Sequence, residues 1–196
     1  MADVKHFDQA AVLGTVVRLF WRRGLATTGI QDVVDATGIS RSSLYATFGD
    51  KHALYLAALD HYLEEHARPG FARLAGDPRG LPALTRFFNQ LIRARCTGER
   101  ARWGCLMVNA HAGPESGNAD VQRRLGYHHE QLRAALRDAL TTAHRLGQLH
   151  ADVHIDATAG QLALLAYGVN LRSRAGAPAA ELRRTVNHTL SALAKR

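Results

Sequence analysis

The sequence has few cysteines and no long apolar segment, and both absences narrow its class. It contains 2 cysteines among 196 residues, which is too few for a disulfide framework. No apolar run approaches the roughly 20 residues that a membrane-spanning helix needs. No signal peptide is visible, since Met1-Ala2-Asp3 leads straight into an amphipathic segment. These absences predict a cytoplasmic protein that makes no membrane contact.

The motifs that many enzymes need are also absent. There is no G-x-S-x-G, no G-x-x-x-x-G-K and no Cys-x-x-Cys, and the carboxylates are scattered over polar positions. His150 and His154 have a spacing compatible with a metal only on a helix, whereas the neighbouring Gly147, Gln148 and Asp152 indicate a loop. We therefore predict that the chain is not an enzyme and that it has no metal site and no cofactor.

Helix-forming residues dominate what is present. Apolar residues make up 46% of the chain and aromatic residues only 7%, and the long periodic segments are rich in Ala, Leu and Arg. No segment alternates at period two for long, so the predicted fold is all-α. The expected helices cover residues about 7–22, 28–38, 40–48, 51–66, 82–95, 103–111, 118–146, 156–173 and 178–194.

The segment from Thr28 to Lys51 has the pattern of two short helices joined by a glycine turn. Thr28 is predicted to cap the first helix, and Gln31 would complete a capping box. Gly38 is predicted to end that helix, because glycine accepts the left-handed backbone usual at a helix C-terminus. Ser40 is predicted to cap the second helix.

The second of these helices has an apolar face and a polar face. Leu44 and Phe48 lie four residues apart and share the predicted buried face. The other faces carry Arg41, Ser42, Ser43, Tyr45 and Thr47. Hydroxyls and an arginine at a helix N-terminus suit phosphate oxygens and base edges. This layout is typical of a helix-turn-helix, whose second helix enters the DNA major groove; an ordinary helical hairpin with a solvated polar face is the alternative.

Residues 27–55 resemble the DNA-binding domain of the TetR family of bacterial transcription regulators. The resemblance rests on the segment GISRSSLYATFGDKHALY, with its glycine turn and the lysine that opens the next helix. It implies that Thr28, Tyr45 and Lys51 contact phosphates.

The resemblance also implies that Arg41, Ser42 and Ser43 face the groove. Three positions depart from the family pattern. Ser42 stands where the family often has Gly, Thr47 where it often has His, and Gly29 where it often has Ser or Thr. These departures leave the expected fold unchanged and bear on which bases are contacted.

The positive charge of the chain lies mostly outside this segment. The net charge of +8 favours an anionic partner such as nucleic acid. Residues 1–51, however, hold six basic and five acidic side chains. This nearly neutral N-terminal segment argues against a sequence-neutral nucleoid protein, because non-specific DNA binding depends on dense phosphate neutralisation. The motif, rather than the charge, predicts DNA binding.

By the same resemblance, residues 1–50 form a helix-turn-helix DNA-binding domain and residues 51–196 form a helical ligand-binding and dimerisation domain. The family dimerises through a four-helix bundle made from its last two helices. Leu182, Val186 and Leu193 recur at helical spacing in this region, although intramolecular packing would use the same residues. A two-fold homodimer suits a palindromic operator.

The resemblance further implies a ligand pocket in the second domain. Pockets are mostly apolar and carry a few placed polar groups. Ordinary core packing is the alternative for each candidate. The candidates are Phe87, Leu91, Trp103, Met107, His111, Leu125, His128 and Tyr167.

Cys105 is a candidate redox residue. It follows Gly104, and Arg100 and Arg102 are close in sequence. Gly-Cys at this place resembles a subset of the TetR family, some of whose members sense oxidants or electrophiles through cysteine. Cationic neighbours and a helix N-terminus lower a thiol pKa and raise its reactivity, whereas free cysteine is also among the most buried residue types.

Together these patterns predict a homodimeric, ligand-responsive transcriptional regulator that acts as a repressor. Its partners would be a palindromic operator in double-stranded DNA and a small-molecule inducer. The inducer would be either a largely apolar molecule or an electrophile that reacts with Cys105.

Overall fold

The computed structural model describes residues 7–195, whose regular secondary structure is helical apart from one isolated antiparallel bridge, Leu149 to Ala194. The all-α prediction is confirmed. Residues 1–6, which we interpreted as leading into the first helix, and Arg196 lie outside the described residues. The α-helices are α1 Gln9–Arg23, α2 Ile30–Thr37, α3 Arg41–Phe48, α4 Lys51–Tyr62, α5 Arg68–Ala75, α6 Leu81–Cys96, α7 Leu106–Ala110, α8 Ala119–Arg145, α9 Ile155–Arg174 and α10 Ala179–Ser191.

Helices α1 to α3 form the predicted helix-turn-helix domain, the head of the molecule. Most of the predicted helix caps in this domain are present. Gly38 ends α2 in the left-handed region at φ +70°. The Ser40 hydroxyl accepts from the Ser43 amide at the start of α3, and the Asp50 carboxylate accepts from the Ala53 amide at the start of α4. Leu44 is fully buried, as its spacing predicts.

The predicted cap of α2 by Thr28 and Gln31 is wrong. Helix α2 begins one residue later, with Gly29 as its N-cap residue. The Gly29 amide is satisfied by the Asp32 carboxylate, 2.7 Å from the nitrogen. Thr28 instead turns inward, and its hydroxyl donates to the Gly24 carbonyl at 2.7 Å. The carboxylate of Asp32 takes the place that the sequence pattern assigned to Gln31.

The predicted end of the helix over residues 51–66 is also wrong. The chain passes from α4 through a π-helical turn, Leu63–Ala67, directly into α5. Pro69 lies in the first turn of α5, directly after the π turn. The π turn is the feature that accommodates the proline, and it brings a short additional helix beside α8.

Helix α7 is shorter than predicted. The sequence indicates a helix over 103–111, but helical geometry begins at Leu106. Arg102 and Gly104 both have positive φ, +64° and +68°, and this backbone ends any regular helix before Cys105. Cys105 therefore stands at an extended turn that leads into α7.

The body is formed by α5, α6, α8, α9 and α10. Leu182, Val186 and Leu190 of α10 are buried within the protomer, where α10 packs on α6. The apolar face of α10 that was predicted to form the dimer interface therefore packs in the core of the protomer. No helix in residues 7–195 is long and apolar enough to cross a bilayer.

Candidate DNA-binding surface and ligand cavity

The face of α3 and the start of α4 present the predicted DNA contacts. Arg41, Ser42 and Thr47 are exposed, and Tyr45 and Lys51 are half-buried. Ser43 is also half-buried. The guanidinium of Arg41 lies 5.3 Å from the centre of the Tyr45 ring. A cation held over an aromatic face in this way is attracted to the ring, which positions both side chains on one face of α3.

The serines of α3 form a hydroxyl cluster at its N-terminus. The Ser40 hydroxyl lies 3.0 Å from that of Ser42 and 2.9 Å from that of Ser43. This cluster orders the first turn of α3 and places hydroxyls beside Arg41. These groups match the chemistry of phosphate and base-edge recognition.

Thr28 is removed from the set of predicted phosphate contacts. Its side chain is 0% exposed, and its hydroxyl is engaged by a backbone carbonyl. A fully buried side chain reaches no phosphate unless the loop before α2 opens. The family resemblance implied a phosphate contact at Thr28, but the turn before α2 points this side chain inward.

A cavity of about 200 Å³ lies in the body between α4 and α9. Four of the predicted ligand residues line it, together with the candidate redox residue: Phe87, Leu91, His128, Tyr167 and Cys105. A larger groove of about 1010 Å³ runs between α6 and α10, away from all of these residues. We treat the smaller cavity as the candidate ligand site because it is enclosed by aromatic and apolar side chains with a few polar groups.

The other four predicted ligand residues do not line this cavity. Met107 and Leu125 are buried in the core that joins head and body. Trp103 packs edge-on against Trp21 at 5.7 Å between ring centres. His111 is exposed, with Nε2 3.4 Å from the Tyr167 hydroxyl. The family resemblance implied all four as pocket residues, but at the start of α7 it is Cys105 and Val108 that line the cavity, and Met107 packs into the core.

The polar side chains of the cavity were mostly missed from the sequence. The missed lining residues include the polar Tyr62, His66, Arg73, Arg95 and Asn170, and the aromatic Phe71. A signal did exist for two of them. Arg95 continues the apolar stripe of Phe88 and Leu91 on α6, and Asn170 follows Ala166 on α9. A polar side chain on an apolar helical face is the feature that marks such positions.

Cys105 belongs to a chain of hydrogen bonds in the cavity wall. The Tyr62 hydroxyl donates to Cys105 Sγ at 3.3 Å, and Arg95 Nη2 donates to the Tyr62 hydroxyl at 3.3 Å. Arg95 Nε donates to Asn170 Oδ1 at 2.7 Å. The thiol is therefore connected to a guanidinium through one hydroxyl.

This setting favours the thiolate. Burial alone raises the pKa of the Cys105 thiol, but the neighbouring His128 imidazole, the charge of Arg95 and the hydrogen bond from the Tyr62 hydroxyl outweigh burial and lower the pKa to about 6. Burial and the neighbouring Cys105 raise the pKa of Tyr62, so its hydroxyl remains a donor. Low thiol pKa and reactivity go together in cysteines.

Trp21 connects the cavity wall to the head. Its ring is 4.8 Å from that of Tyr62, edge to face, and its Nε1 donates to the Gly104 carbonyl at 3.0 Å. Trp21 lies near the end of α1 and is 2% exposed. The residues beside the thiol, Gly104 and Tyr62, therefore contact a helix of the DNA-binding head directly.

Comparisons with known families agree with both halves of this description. Residues 13–58 match the family model described as bacterial regulatory proteins, tetR family. Residues 80–189 match the model described as tetracyclin repressor-like, C-terminal domain.

Individual relatives are similar over most of their length. The HTH-type transcriptional repressor ComR of Escherichia coli K12 is 30% identical over 190 residues, which cover 95% of this chain and 89% of ComR. The regulator TtgR of Pseudomonas putida is 28% identical over 171 residues, covering 81% and 75%. A cysteine mutant of CifR, solved with 26-base-pair operator DNA, matches with a TM-score of 0.83 at 27% identity, over 96% of this chain and 98% of CifR.

The helix-turn-helix geometry, the two family models and the relatives that share nearly the whole length agree. The chain belongs to the TetR family, and it is a DNA-binding transcriptional regulator, not an enzyme.

Proposed function

We propose that this regulator is a repressor that binds a palindromic operator as a homodimer and is released when a small molecule enters the cavity between α4 and α9. The observation that carries the proposal is the position of Tyr62, which lines the cavity and packs on Trp21 of the head. The repressor ComR is similar over 95% of the chain.

The path from cavity to head is short. The Tyr62 ring and the Gly104 carbonyl both contact Trp21. A ligand that displaces Tyr62 or the turn at Gly104 therefore changes the packing of Trp21. Because Trp21 lies in α1, such a displacement changes how the head sits on the body. A ligand can release DNA in this way only if it binds the released arrangement more tightly than the DNA-bound one.

The π turn Leu63–Ala67 lies on the same path. It joins α4, which begins in the head at Lys51, to α5 beside the cavity. Single π turns inside helices occur frequently at functional sites. We propose that this turn is the point at which α4 changes direction when the cavity fills.

The proposed dimer surface is the outer face of α9. Leu164 and Leu171 are 68% and 47% exposed. Gly160 and Gly168 share that face, and a Cβ at either would meet no atom within 4 Å. A stripe of large apolar side chains with glycines between them lets a second helix approach closely. A dimer formed there would carry two heads for two half-sites.

Cys105 provides a covalent route to the same release. The sulfur lines the cavity and its environment favours the thiolate, which is the nucleophilic form. An electrophile bonded to the sulfur would disturb Tyr62 directly, since the two groups are 3.3 Å apart. We propose the covalent route as the second candidate trigger beside a reversible ligand.

The DNA half of the proposal is tested by sequencing genomic fragments bound by the purified protein, followed by footprinting. A discrete protected palindrome is the expected result. Uniform coverage would indicate a nucleoid protein and would contradict the proposal.

The release half is tested by gel shift with a panel of apolar metabolites, peroxide and quinones, on wild type and Cys105→Ser. A reversible inducer acts on both proteins. A covalent trigger acts only on the wild type and leaves a mass adduct. If nothing in the panel releases either protein, the sensor role is rejected and the DNA-binding role stands.

A further inference from the structure

In the part of the chain that the structure describes, the wall of the cavity contains basic side chains but no carboxylate. Its lining contains Arg73 at the mouth, Arg95 inside, and the imidazoles of His66 and His128. Among the described residues, no Asp or Glu lines it. A cavity of this size without a carboxylate is suited to a ligand that brings the negative charge itself.

Arg95 is the group that such a ligand would meet. Its two hydrogen-bond acceptors, the Tyr62 hydroxyl and the Asn170 amide oxygen, are both neutral. No carboxylate within residues 7–195 comes within 4 Å of its guanidinium, whereas Arg124 and Arg172 each have one. A guanidinium carries five N–H groups in a planar fork, so donors remain free beside the cavity.

The direct partners of Arg95 are neutral, and the Cys105 sulfur reaches its charge only through the Tyr62 hydroxyl. The guanidinium packs over the Trp21 ring at 5.3 Å, which is a weak attraction. The Cys105 sulfur is the one group of the cavity wall that can carry negative charge near neutral pH, and Tyr62 stands between it and the guanidinium. A cation withdrawn from water favours a paired anion strongly.

We propose that the cavity binds a small carboxylic acid with a single apolar ring, the carboxylate on the free N–H groups of Arg95 and the ring against Phe71, Phe87 and Leu91. The proposal rests on the cavity assigned under the proposed function and names its ligand class. Bidentate pairing of a guanidinium with a carboxylate supplies both energy and orientation.

The dimensions set the size of the acid. The cavity has a volume of about 200 Å³, which is about seven times the roughly 30 Å³ that one water occupies in the liquid. That space admits one six-membered ring with its carboxylate. Phe71 and Phe87 supply aromatic walls, and Leu91 closes the same side.

Carboxylate binding and the reactivity of Cys105 are linked. The thiolate and the bound carboxylate draw on the same positive charge, so each weakens the other. Filling the site therefore raises the pKa of the Cys105 thiol and slows its alkylation, and protonation of the thiol in turn strengthens carboxylate binding, because coupling between two binding equilibria is reciprocal. This linkage gives a readout that needs no DNA.

The test is titration calorimetry of full-length protein with benzoate, phenylacetate and cyclohexanecarboxylate, each paired with its neutral amide. At least one acid is expected to bind about tenfold or more tightly than its amide, the scale of a charge-assisted hydrogen bond. Equal affinity of acid and amide, or no saturable binding of any acid, would overturn the proposal without any variant.

Two variants test whether Arg95 supplies the positive charge that binds the acid. Arg95→Gln should abolish the preference for acid over amide, and Arg95→Lys should keep part of it. Arg93→Gln is the matched control, since Arg93 lies on the same helix and is exposed. A preference that survives Arg95→Gln in folded protein overturns the assignment; if that variant fails to fold, the Lys variant decides.

The second readout is the rate at which iodoacetamide alkylates Cys105 in a Cys96→Ser background. The acid that binds should slow alkylation more than its amide does at equal occupancy. Equal protection would contradict the charge linkage. These measurements are separate from DNA release. Acids that bind without releasing the operator support the ligand class and reject the inducer role. If only a neutral molecule releases the operator, the inducer role of the cavity is supported and the carboxylic acid is rejected as its ligand.

Discussion

The DNA-binding face and the cavity are built in different ways. The predicted DNA contacts that the structure leaves accessible come from one continuous segment, Arg41–Lys51, shaped by its own caps at Ser40 and Asp50. The cavity takes its lining from six helices, between Tyr62 and Asn170. A DNA-binding face made from one continuous segment keeps its shape when other parts of the structure shift. A cavity made from six helices responds to any shift among them, which is what a sensor requires.

The largest expected effect tests whether the head folds independently of the cavity. Leu44 is 0% exposed and joins α3 to the core shared with α4 and α7. Leu44→Ala should cost about 2–5 kcal/mol of unfolding free energy, measured by urea denaturation. Leu136→Ala in the body is the matched control. If the head is independent, Leu44→Ala abolishes operator binding but preserves binding of ligand in the cavity; loss of both would erase the distinction between the two regions.

The second-largest expected effect concerns the dimer surface proposed on the outer face of α9. Leu164→Ala removes an exposed leucine from the outer face of α9 and should cost about 1.5–3 kcal/mol of dimerisation free energy, measured by sedimentation. Leu146→Ala, also at an exposed leucine, should leave the dimer unchanged. Monomeric wild-type protein at micromolar concentration would contradict both the surface and the palindromic operator.

Within the DNA face, Arg41 and Lys51 should behave differently. Arg41→Ala is expected to relax preference at particular operator positions by about 1–3 kcal/mol, as a bidentate base contact does. Lys51→Ala should weaken binding to all sequences alike and reduce the salt dependence, since phosphates carry no sequence. Gel shifts with single-base operator variants at several salt concentrations separate the two. Identical behaviour would show that the face of α3 does not read bases.

The smallest effect concerns the thiol. Tyr62→Phe should raise the pKa of Cys105, and it should cost about 0.5–1.5 kcal/mol of stability through the lost hydrogen bond. Ultraviolet absorbance of the thiolate against pH, in a Cys96→Ser background, measures the change. Tyr127→Phe is the control, since Tyr127 is 44% exposed. An unmoved midpoint would remove Tyr62 from the environment of the thiol.

The same titration predicts how stability depends on pH. The folded-state pKa of Cys105 is lowered from 9.0 to about 6. Its ionisation therefore adds stability that is complete above the unfolded value and is lost as the pH falls through the folded value. Cys105→Ser should flatten this part of the stability curve between about pH 6 and 9.

Local signals predicted the parts of the molecule that local physics controls. The cap at Ser40, the left-handed Gly38 and the burial of Leu44 follow from spacing and side-chain chemistry within a few residues. The long helices α6, α8 and α9 follow from their apolar periodicity. The prediction at Thr28 failed at the same scale, because Asp32 competes for the cap and sequence spacing does not rank two such candidates.

Tertiary packing decided the rest. Whether Leu182 lies in a core or on an interface depends on where α6 is, and the sequence pattern is the same in both cases. The cavity depends on the positive φ of Arg102 and Gly104, which turns Met107 into the core and leaves Cys105 on the wall. The sequence by itself determined a helical DNA-binding head on a helical body. Only the packed structure placed Arg95, Tyr62 and Cys105 in one hydrogen-bonded chain, because contacts among residues 62, 95 and 105 depend on helix packing rather than on periodicity.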